Sequence, residues 1–298
     1  MAVGDPASVE AVWAGPIARV KGFAEGREAW PEALPILAGG SAGPFAPGSP
    51  TVQGARAALS ALEVATDLVR DGEAAAIVTA PVSKAQFYAI GFRHPGQTEW
   101  VAERCGIAAD EAVMMLAGPT LRTVPVTTHL PLAGVAGALT TDLILAKART
   151  TLRALARDFG LGSPRLAVAG LNPHAGEGGA LGREDEAVIA PAVDALRAEG
   201  HDVAGPLPAD TMFHPRARAE YDAALCMYHD QALIPLKALH FDEGVNVTLG
   251  LPIVRTAPDH GTAFGIAGTG RAEPGAMIAA IRMAGEMAAR RGLEATAA

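Results

Sequence analysis

Short apolar runs, separated by amphipathic helices, recur along most of this chain. The runs 121–126, 165–169 and 223–227 each have the length of a buried strand and end in polar residues. Between such runs, Val52–Arg70 and residues 140–159 carry apolar residues at steps of three and four, which is typical of amphipathic helices. This alternation favours an α/β fold in which helices cover a sheet of parallel strands. In such sheets, ligands bind at the edge where the strands end.

A histidine follows each of these three runs, at His129, His174 and His229. A single histidine at a strand end is more commonly a hydrogen-bonded structural residue than a ligand. Three histidines in equivalent positions, however, converge on one edge of a parallel sheet, and core packing does not explain them. Three imidazoles are a ligand set for a divalent metal such as zinc or cobalt, and they leave positions open for water or substrate. The sequence therefore predicts a metal site at this edge.

Other polar features have simpler interpretations. We interpret the acidic run 184–186 as the cap of the helix that follows it. Segment 39–50, with four glycines and three prolines, is interpreted as a surface linker. Lys84 follows the predicted strand 74–79, where it either contacts an anion or is a solvated residue of a first helical turn. Four further histidines near turns and helix ends are interpreted as surface residues: His94, His201, His214 and His240.

The charge and the cysteines argue against several classes of protein. The formal net charge is −8, which opposes binding to nucleic-acid phosphates. Cys105 and Cys226 lie in apolar surroundings far apart in the sequence, which indicates free thiols in a reducing compartment. No apolar run reaches the roughly 18 residues that span a bilayer, and the N-terminal residues lack the basic segment and apolar core that are typical of a secretory leader. We therefore expect a soluble, cytoplasmic protein with no membrane or nucleic-acid partner.

Five longer motifs are specific enough to indicate a family. They read Thr-Thr-His-Leu-Pro-Leu at 127–132, Gly-Leu-Asn-Pro-His-Ala-Gly-Glu at 170–177, Gly-Pro-Leu-Pro-Ala-Asp-Thr at 205–211, Met-Tyr-His-Asp-Gln at 227–231 and Gly-Val-Asn-Val-Thr-Leu-Gly-Leu-Pro at 244–252. In this order they closely resemble the 4-hydroxythreonine-4-phosphate dehydrogenases of pyridoxal 5'-phosphate biosynthesis. The resemblance extends from about Ala74 to the end of the chain.

The resemblance implies a homodimer of subunits with two α/β/α domains, similar in fold to isocitrate and isopropylmalate dehydrogenases. It implies an active site in the interdomain cleft, near the dimer interface. The implied first domain comprises 1–95 and 264–298, and the second comprises 96–263 with the metal site and the dimer contacts. The family pattern also begins with a strand and a helix that this sequence lacks, so we expect a first domain that is truncated at its N-terminus.

Individual residues also receive roles from the resemblance. The implied metal ligands are the same three histidines, His129, His174 and His229. The implied substrate contacts have cationic or hydrogen-bonding side chains: Gln97, Thr98, Lys237, Asn246 and Arg255. At position 97 the family has a histidine, which can carry a proton, whereas glutamine cannot.

The resemblance also implies residues for the cofactor, and the positions of two aspartates make them candidates for the chemistry. The loop implied to hold the adenosine of NAD consists of His260, Gly261, Thr262 and Ala263. Asp210 and Asp230 are placed near the ends of the histidine-bearing strands. Each of them either relays a proton or orients a histidine as a hydrogen-bond partner, and the sequence does not choose between these roles.

The resemblance implies oxidation of 4-hydroxythreonine 4-phosphate at its C3 alcohol. The implied cofactors are NAD or NADP and one divalent ion per subunit, which is zinc, cobalt or magnesium. The ketone then loses CO2 to leave 3-amino-2-oxopropyl phosphate. Two other functions stay open at this point: a related dehydrogenase acting on another phosphorylated hydroxy acid or a cis-dihydrodiol, and a zinc hydrolase that uses the same histidines.

Overall fold

The computed structural model describes residues 1–108 and 110–293. The strands are β1 (Ala2–Gly4), β2 (Ile17–Val20), β3 (Leu34–Ala38), β4 (Ile77–Val78), β5 (Val113–Ala117), β6 (Arg122–Pro125), β7 (Arg165–Ala169), β8 (Asp202–Leu207), β9 (Ala223–Cys226), β10 (Val245–Leu249) and β11 (Arg255–Pro258). The α-helices are α1 (Pro6–Glu10), α2 (Phe23–Ala29), α3 (Val52–Arg70), α4 (Lys84–Ala89), α5 (Gln97–Arg104), α6 (Leu132–Ala138), α7 (Thr141–Phe159), α8 (Ala190–Ala198), α9 (Pro215–Arg218), α10 (His229–His240) and α11 (Gly275–Arg290).

The described chain divides into two compact units. The first comprises the described residues of Met1–Ala109 and Pro252–Ala298, and the second comprises Asp110–Leu251. The predicted boundaries at 95/96 and 263/264 both fall within the first unit. The start of α5 and the segment after β11 belong to this unit because β11 pairs with β4, and because Arg255 of β11 bonds to Thr98 of α5.

Parallel strands form the sheets of the first unit. β3 lies between β1 and β2 and pairs with both in parallel, and β4 pairs in parallel with β11. α3 begins after Thr51, whose hydroxyl accepts a hydrogen bond from the Gly54 N–H, and it buries Leu62 in the core. The predicted range of this helix, Val52–Arg70, is confirmed.

The second unit has its strands in the order β10-β5-β6-β9-β7-β8. β6, β9, β7 and β8 run parallel, whereas β5 is antiparallel to both of its neighbours. β5 and β6 are joined by the predicted turn at Gly118 and Pro119, where the Gly118 N–H donates to Leu121 O. All residues of β9 are buried, as expected of a strand inside a sheet whose faces are covered.

The helices of the second unit are anchored by local signals and by burial. The Thr140 hydroxyl accepts a hydrogen bond from the Leu143 N–H at the start of α7, and Gly160 ends this helix in the left-handed conformation, with a φ of 71°. Ile144 and Leu155 of α7 are fully buried, and each contributes roughly 1.5–3 kcal/mol by leaving water. Strands and helices alternate in both units, which confirms the predicted α/β class. Among the described helices, none is long and apolar enough to cross a membrane.

Candidate active site

The three predicted metal ligands follow three neighbouring strands of the second unit. His129 comes after β6, His229 opens α10 after β9, and His174 follows β7. β9 lies between β6 and β7, and the three strands run parallel. Their carboxyl ends therefore share one edge of the sheet, where α/β proteins bind ligands. The sheet topology confirms that these histidines follow adjacent strand ends.

The loops that carry His129 and His174 have a strained backbone. Both residues adopt the left-handed conformation with a φ of 53°, and Ala175 and Glu177 also have positive φ angles, of 51° and 45°. A non-glycine residue in this region costs on the order of 1–3 kcal/mol and persists where its surroundings hold it, often at ligand sites. The strain therefore supports a functional role for both loops.

The rings of His129 and His229 are neighbours, with their centroids 5.7 Å apart. The Nδ1 atom of His229 lies 2.7 Å from Oδ1 of Asp230, a contact that orients the ring and leaves Nε2 available to a ligand. Asp230 thus makes the contact that an orienting residue needs. Asp210 lies in the short helix Ala209–Thr211 after β8, the strand beside β7. Its predicted role stays a prediction.

The donor chemistry of these loops suits a divalent metal. Three imidazoles at adjacent strand ends match zinc or cobalt in ligand type. Within residues 1–108 and 110–293, no three His, Cys, Asp or Glu side chains are grouped closely enough to hold a metal ion. The side chain of His174 is 65% exposed, and its Nδ1 lies 3.8 Å from Oε2 of Glu177. The metal assignment of the three histidines therefore stays a prediction.

Two of the predicted substrate residues belong to the second unit. Asn246 is on β10, and its Oδ1 atom is buried without a hydrogen-bond partner among the described residues. A buried unsatisfied acceptor costs about 1–3 kcal/mol, which a donor group on a ligand would recover. Lys237 lies on α10, about two turns beyond His229. The buried amide oxygen supports a ligand-binding role for Asn246.

Arg255, a third predicted substrate residue, lies in the first unit and is only 4% exposed. Its Nη1 donates to Thr98 Oγ1 at 3.0 Å, and its Nη2 donates to Thr79 Oγ1 at 2.8 Å. Burial lowers the pKa of the guanidinium to about 10, and the nearby carboxylate of Glu99 opposes this shift. A buried cation oriented by hydroxyl groups favours an anionic ligand, such as a phosphate or a carboxylate.

Gln97 connects Arg255 to the loop before α4. Its Oε1 accepts a bond from Arg255 Nη2 at 3.3 Å, and its Nε2 donates to Ala80 O at 3.1 Å. A protonated histidine at this position could not accept the bond from the guanidinium. Lys84 lies close to Gly96, the residue before α5. A Cβ placed on Gly96 would be 3.9 Å from Nζ of Lys84. Lys84 is also exposed and opens α4, so both interpretations of this residue stay open.

The predicted adenosine loop, residues 260–263, follows β11 in the first unit. Thr262 of this loop lines a cavity of about 310 Å³ together with Phe45 and Pro47. Largely apolar cavities of this size are typical of sites for small molecules and cofactors. Segment 39–50 therefore forms a cavity wall and is not the plain surface linker predicted from its composition, which carries no signal for its distant contacts.

His240, which was interpreted as a surface residue, is partly buried. Its Nε2 lies 2.9 Å from Thr120 Oγ1. Burial is the main cause that lowers the pKa of the ring, and repulsion from the positive charge of Arg218 is a smaller one. The β5–β6 turn packs on the ring, so that a Cβ on Gly118 would lie 2.6 Å from it, and His240 is a partly covered surface residue. His214 is exposed, as predicted, and its Nδ1 accepts a backbone N–H at the start of α9.

The acidic run 184–186 does not cap the helix that follows it. No side-chain cap bond is present at the start of the π-helical turn Asp185–Ile189 or of α8. Asp185 is instead 1% exposed, and it accepts a hydrogen bond from the Leu171 N–H in the loop after β7. No sequence pattern indicates this contact, because the partner is a backbone group in another loop.

Two comparisons of sequence bear on the family of this chain. The family model described as pyridoxal phosphate biosynthetic protein PdxA matches residues 2–284. A 4-hydroxythreonine-4-phosphate dehydrogenase of Erythrobacter litoralis is 58% identical over 276 residues. The aligned part covers 93% of this chain and 82% of that protein, so the similarity extends over most of both.

Solved structures are similar over the same extent. The crystal structure of 4-hydroxythreonine-4-phosphate dehydrogenase from Klebsiella pneumoniae has a TM-score of 0.86 and 36% identity, and the match covers 96% of this chain and 88% of that chain. A terephthalate 1,2-cis-dihydrodiol dehydrogenase from Burkholderia xenovorans has a TM-score of 0.64 and 29% identity, with coverage of 97% and 89%. The first structure is the more similar in both fold and sequence.

Proposed function

Because this chain belongs to the PdxA family of pyridoxal phosphate biosynthetic proteins, we propose that it is a 4-hydroxythreonine-4-phosphate dehydrogenase. The proposed reaction oxidises the C3 alcohol of the substrate to a ketone while NAD or NADP is reduced. The ketone then loses CO2, which leaves 3-amino-2-oxopropyl phosphate. The observation that carries this proposal is that His129, His174 and His229 follow three adjacent parallel strands.

The histidines are proposed to hold one divalent ion of zinc, cobalt or magnesium. When bound, such an ion supplies positive charge that stabilises negative charge on a substrate oxygen. Asp230 contributes by orienting the ring of His229 through Nδ1. Asp210 is the second carboxylate proposed near the reacting groups, as a proton relay or as a partner of a histidine.

The substrate's anionic groups are proposed to bind cationic side chains. Arg255 and Lys237 suit its phosphate and carboxylate, and Lys84 adds a third positive charge beside the start of α5. Thr98 orients the guanidinium of Arg255. Asn246 accepts a hydrogen bond from a substrate hydroxyl or ammonium, which satisfies its buried Oδ1.

The nicotinamide cofactor is proposed to bind through the loop His260, Gly261, Thr262 and Ala263. The cavity lined by Thr262, Phe45 and Pro47 is suited to an adenine ring. When bound, the nicotinamide supplies the acceptor for the hydride that leaves C3. The loop and the cavity both belong to the first unit, so cofactor and metal residues are carried by different units of the chain.

Two other functions make different predictions for products. A dehydrogenase acting on a cis-dihydrodiol also needs a nicotinamide cofactor, and the lower identity to the solved structure of such an enzyme, 29% against 36%, favours the phosphorylated substrate. A zinc hydrolase would use the same three histidines with a metal-activated water and would need no NAD.

We expect the zinc-loaded protein to form NADH from 4-hydroxythreonine 4-phosphate and not from the cis-dihydrodiol of terephthalate. NADH absorbance and release of inorganic phosphate are followed in the same reactions, with a chelated sample as the control. NADH formation from the dihydrodiol alone would show that the chain is the related dehydrogenase. Phosphate release without NAD would show that it is a hydrolase.

Apolar side chains exposed on the surface of the second unit support the proposed homodimer. Ile234 and Phe241, at and just after α10, are 65% and 74% exposed, and Leu132 at the start of α6 is 72% exposed. Large apolar side chains that are exposed in one subunit are often covered at protein interfaces. α10 also carries His229 and Lys237, so an interface on this helix would lie near the proposed metal site.

Glutamate at this surface is expected to dissociate the dimer. A desolvated, unpaired charge in an apolar interface costs roughly 3–5 kcal/mol, which weakens association by more than about a hundredfold. We therefore expect Phe241→Glu and Ile234→Glu to halve the mass measured by light scattering after gel filtration. Trp30→Glu, at a 62% exposed position of the first unit, is the matched control and should leave the mass unchanged. A monomeric wild-type protein would contradict the proposed homodimer.

A further inference from the structure

A buried carboxylate holds the loop that carries His174. Asp185 is 1% exposed, and its Oδ1 accepts a hydrogen bond from the Leu171 N–H at 2.8 Å. Its Oδ2 accepts from the Asn172 backbone N–H at 3.1 Å and from Asn172 Nδ2 at 3.0 Å. Bonds from N–H donors to an ionised carboxylate are among the stronger hydrogen bonds in proteins. Asp185, at the start of the next helical segment, therefore holds the first residues after β7 in place.

A side-chain amide ties this loop to the strand that precedes His229. Gln231 Oε1 accepts a hydrogen bond from the Met227 N–H at 2.6 Å, and its Nε2 donates to Gly170 O at 2.8 Å. Gly170 is the first residue after β7, and a Cβ there would lie 2.7 Å from Asp185 Oδ1. Asp185 and Gln231 thus meet at the same residue and connect the His174 loop to the end of β9.

The conformation of the His174 loop explains the need for such contacts. His174 and Ala175 both have left-handed φ angles. Residues other than glycine keep this conformation only when their surroundings hold them there. The Ala175 N–H donates to Asn172 O, and Asn172 is itself bound by Asp185. The bonds of Asp185 therefore anchor the turn in which His174 stands.

We propose that Asp185 and Gln231 are positioning residues that set the place of His174 relative to His229 for metal binding. Neither side chain is assigned to the metal itself. Their effect is to restrict the His174 loop before the ion arrives, so that binding does not have to order it. This inference rests on the proposed function, because it takes the three histidines as the ligands.

The test measures zinc affinity in the absence of substrate and cofactor. Metal-free wild type, Asp185→Asn and Gln231→Leu are titrated with zinc in a calorimeter, and the midpoint of thermal unfolding of each metal-free protein is recorded. Loss of a residue that orients a ligand typically weakens metal binding about 10- to 100-fold, and we expect both variants to fall in that range. Glu186→Gln is the matched control, since it removes the same formal charge from an exposed neighbour.

The outcomes separate the positioning role from the proposed function. Wild-type zinc affinity in both variants, with or without a lower unfolding midpoint, would overturn the positioning role while the metal site stands. Should Asp185→Asn fail to fold, Gln231→Leu decides, because it removes the link to Gly170 and keeps the buried carboxylate. A wild-type protein that binds no zinc would overturn the metal site and, with it, this role of Asp185.

Discussion

Replacement of His229 by alanine is expected to remove the bound divalent metal and the dehydrogenase activity together. Three protein ligands leave none to spare at a catalytic metal site, so the loss of one should release the ion. The same result is expected for His129→Ala and His174→Ala. Metal content is measured by elemental analysis after dialysis, and turnover is measured by NADH absorbance.

His214→Ala is the matched control for the three ligand variants. His214 is exposed and caps the short helix α9. Its replacement should lower the free energy of unfolding by about 1 kcal/mol or less, and it should leave metal content and turnover near wild type. Full metal content in His174→Ala would show that the loop after β7 does not contribute a ligand. The strained φ of 53° at His174 would then need another explanation.

Replacement of Arg255 by alanine is expected to raise the KM for the phosphorylated substrate about ten- to a hundredfold. The guanidinium is buried and is held by Thr98 and Thr79, so the variant loses charge-assisted bonds worth roughly 1.5–3 kcal/mol. The KM for NAD should change much less, because the proposed cofactor loop lies after β11. Steady-state kinetics with each substrate varied in turn measure both constants.

Two further variants are controls for the effect of Arg255→Ala. Arg19→Ala removes an exposed arginine of the same unit, which pairs with Glu10, and should leave both constants near wild type. Arg255→Lys keeps the charge without the planar fork and should give an intermediate KM. An equal rise in the KM for NAD and for the substrate in Arg255→Ala would place Arg255 at the cofactor's phosphates instead.

Local sequence signals predicted the elements that position the site. The apolar runs before His129, His174 and His229 are strands because their length and composition suit a covered sheet. Apolar residues spaced three and four positions apart predicted the helices α3 and α7. The strand 74–79 was predicted too long, since only Ile77–Val78 forms β4. Short apolar segments at sheet edges have few neighbours, and their extent depends on pairing that the sequence does not display.

Contacts between distant segments could not be read from the sequence. Asp185 is an acidic residue at the start of a helical segment, as is typical of a helix cap. Only the folded chain brings its carboxylate to Leu171 and Asn172. Segment 39–50 has the composition of a linker, and its role as a cavity wall depends on Phe45 and Thr262 lining the same cavity in the folded first unit. Side-chain to backbone bonds of this kind carry no periodicity or spacing.

The combined dependence on metal and nicotinamide is tested most directly in one preparation of metal-free protein. NADH and CO2 are measured with 4-hydroxythreonine 4-phosphate and NAD, before and after zinc is added. We predict no NADH before the addition, and afterwards NADH and CO2 in equal amounts. Equal rates of NADH formation with and without zinc would contradict a metal site formed by His129, His174 and His229.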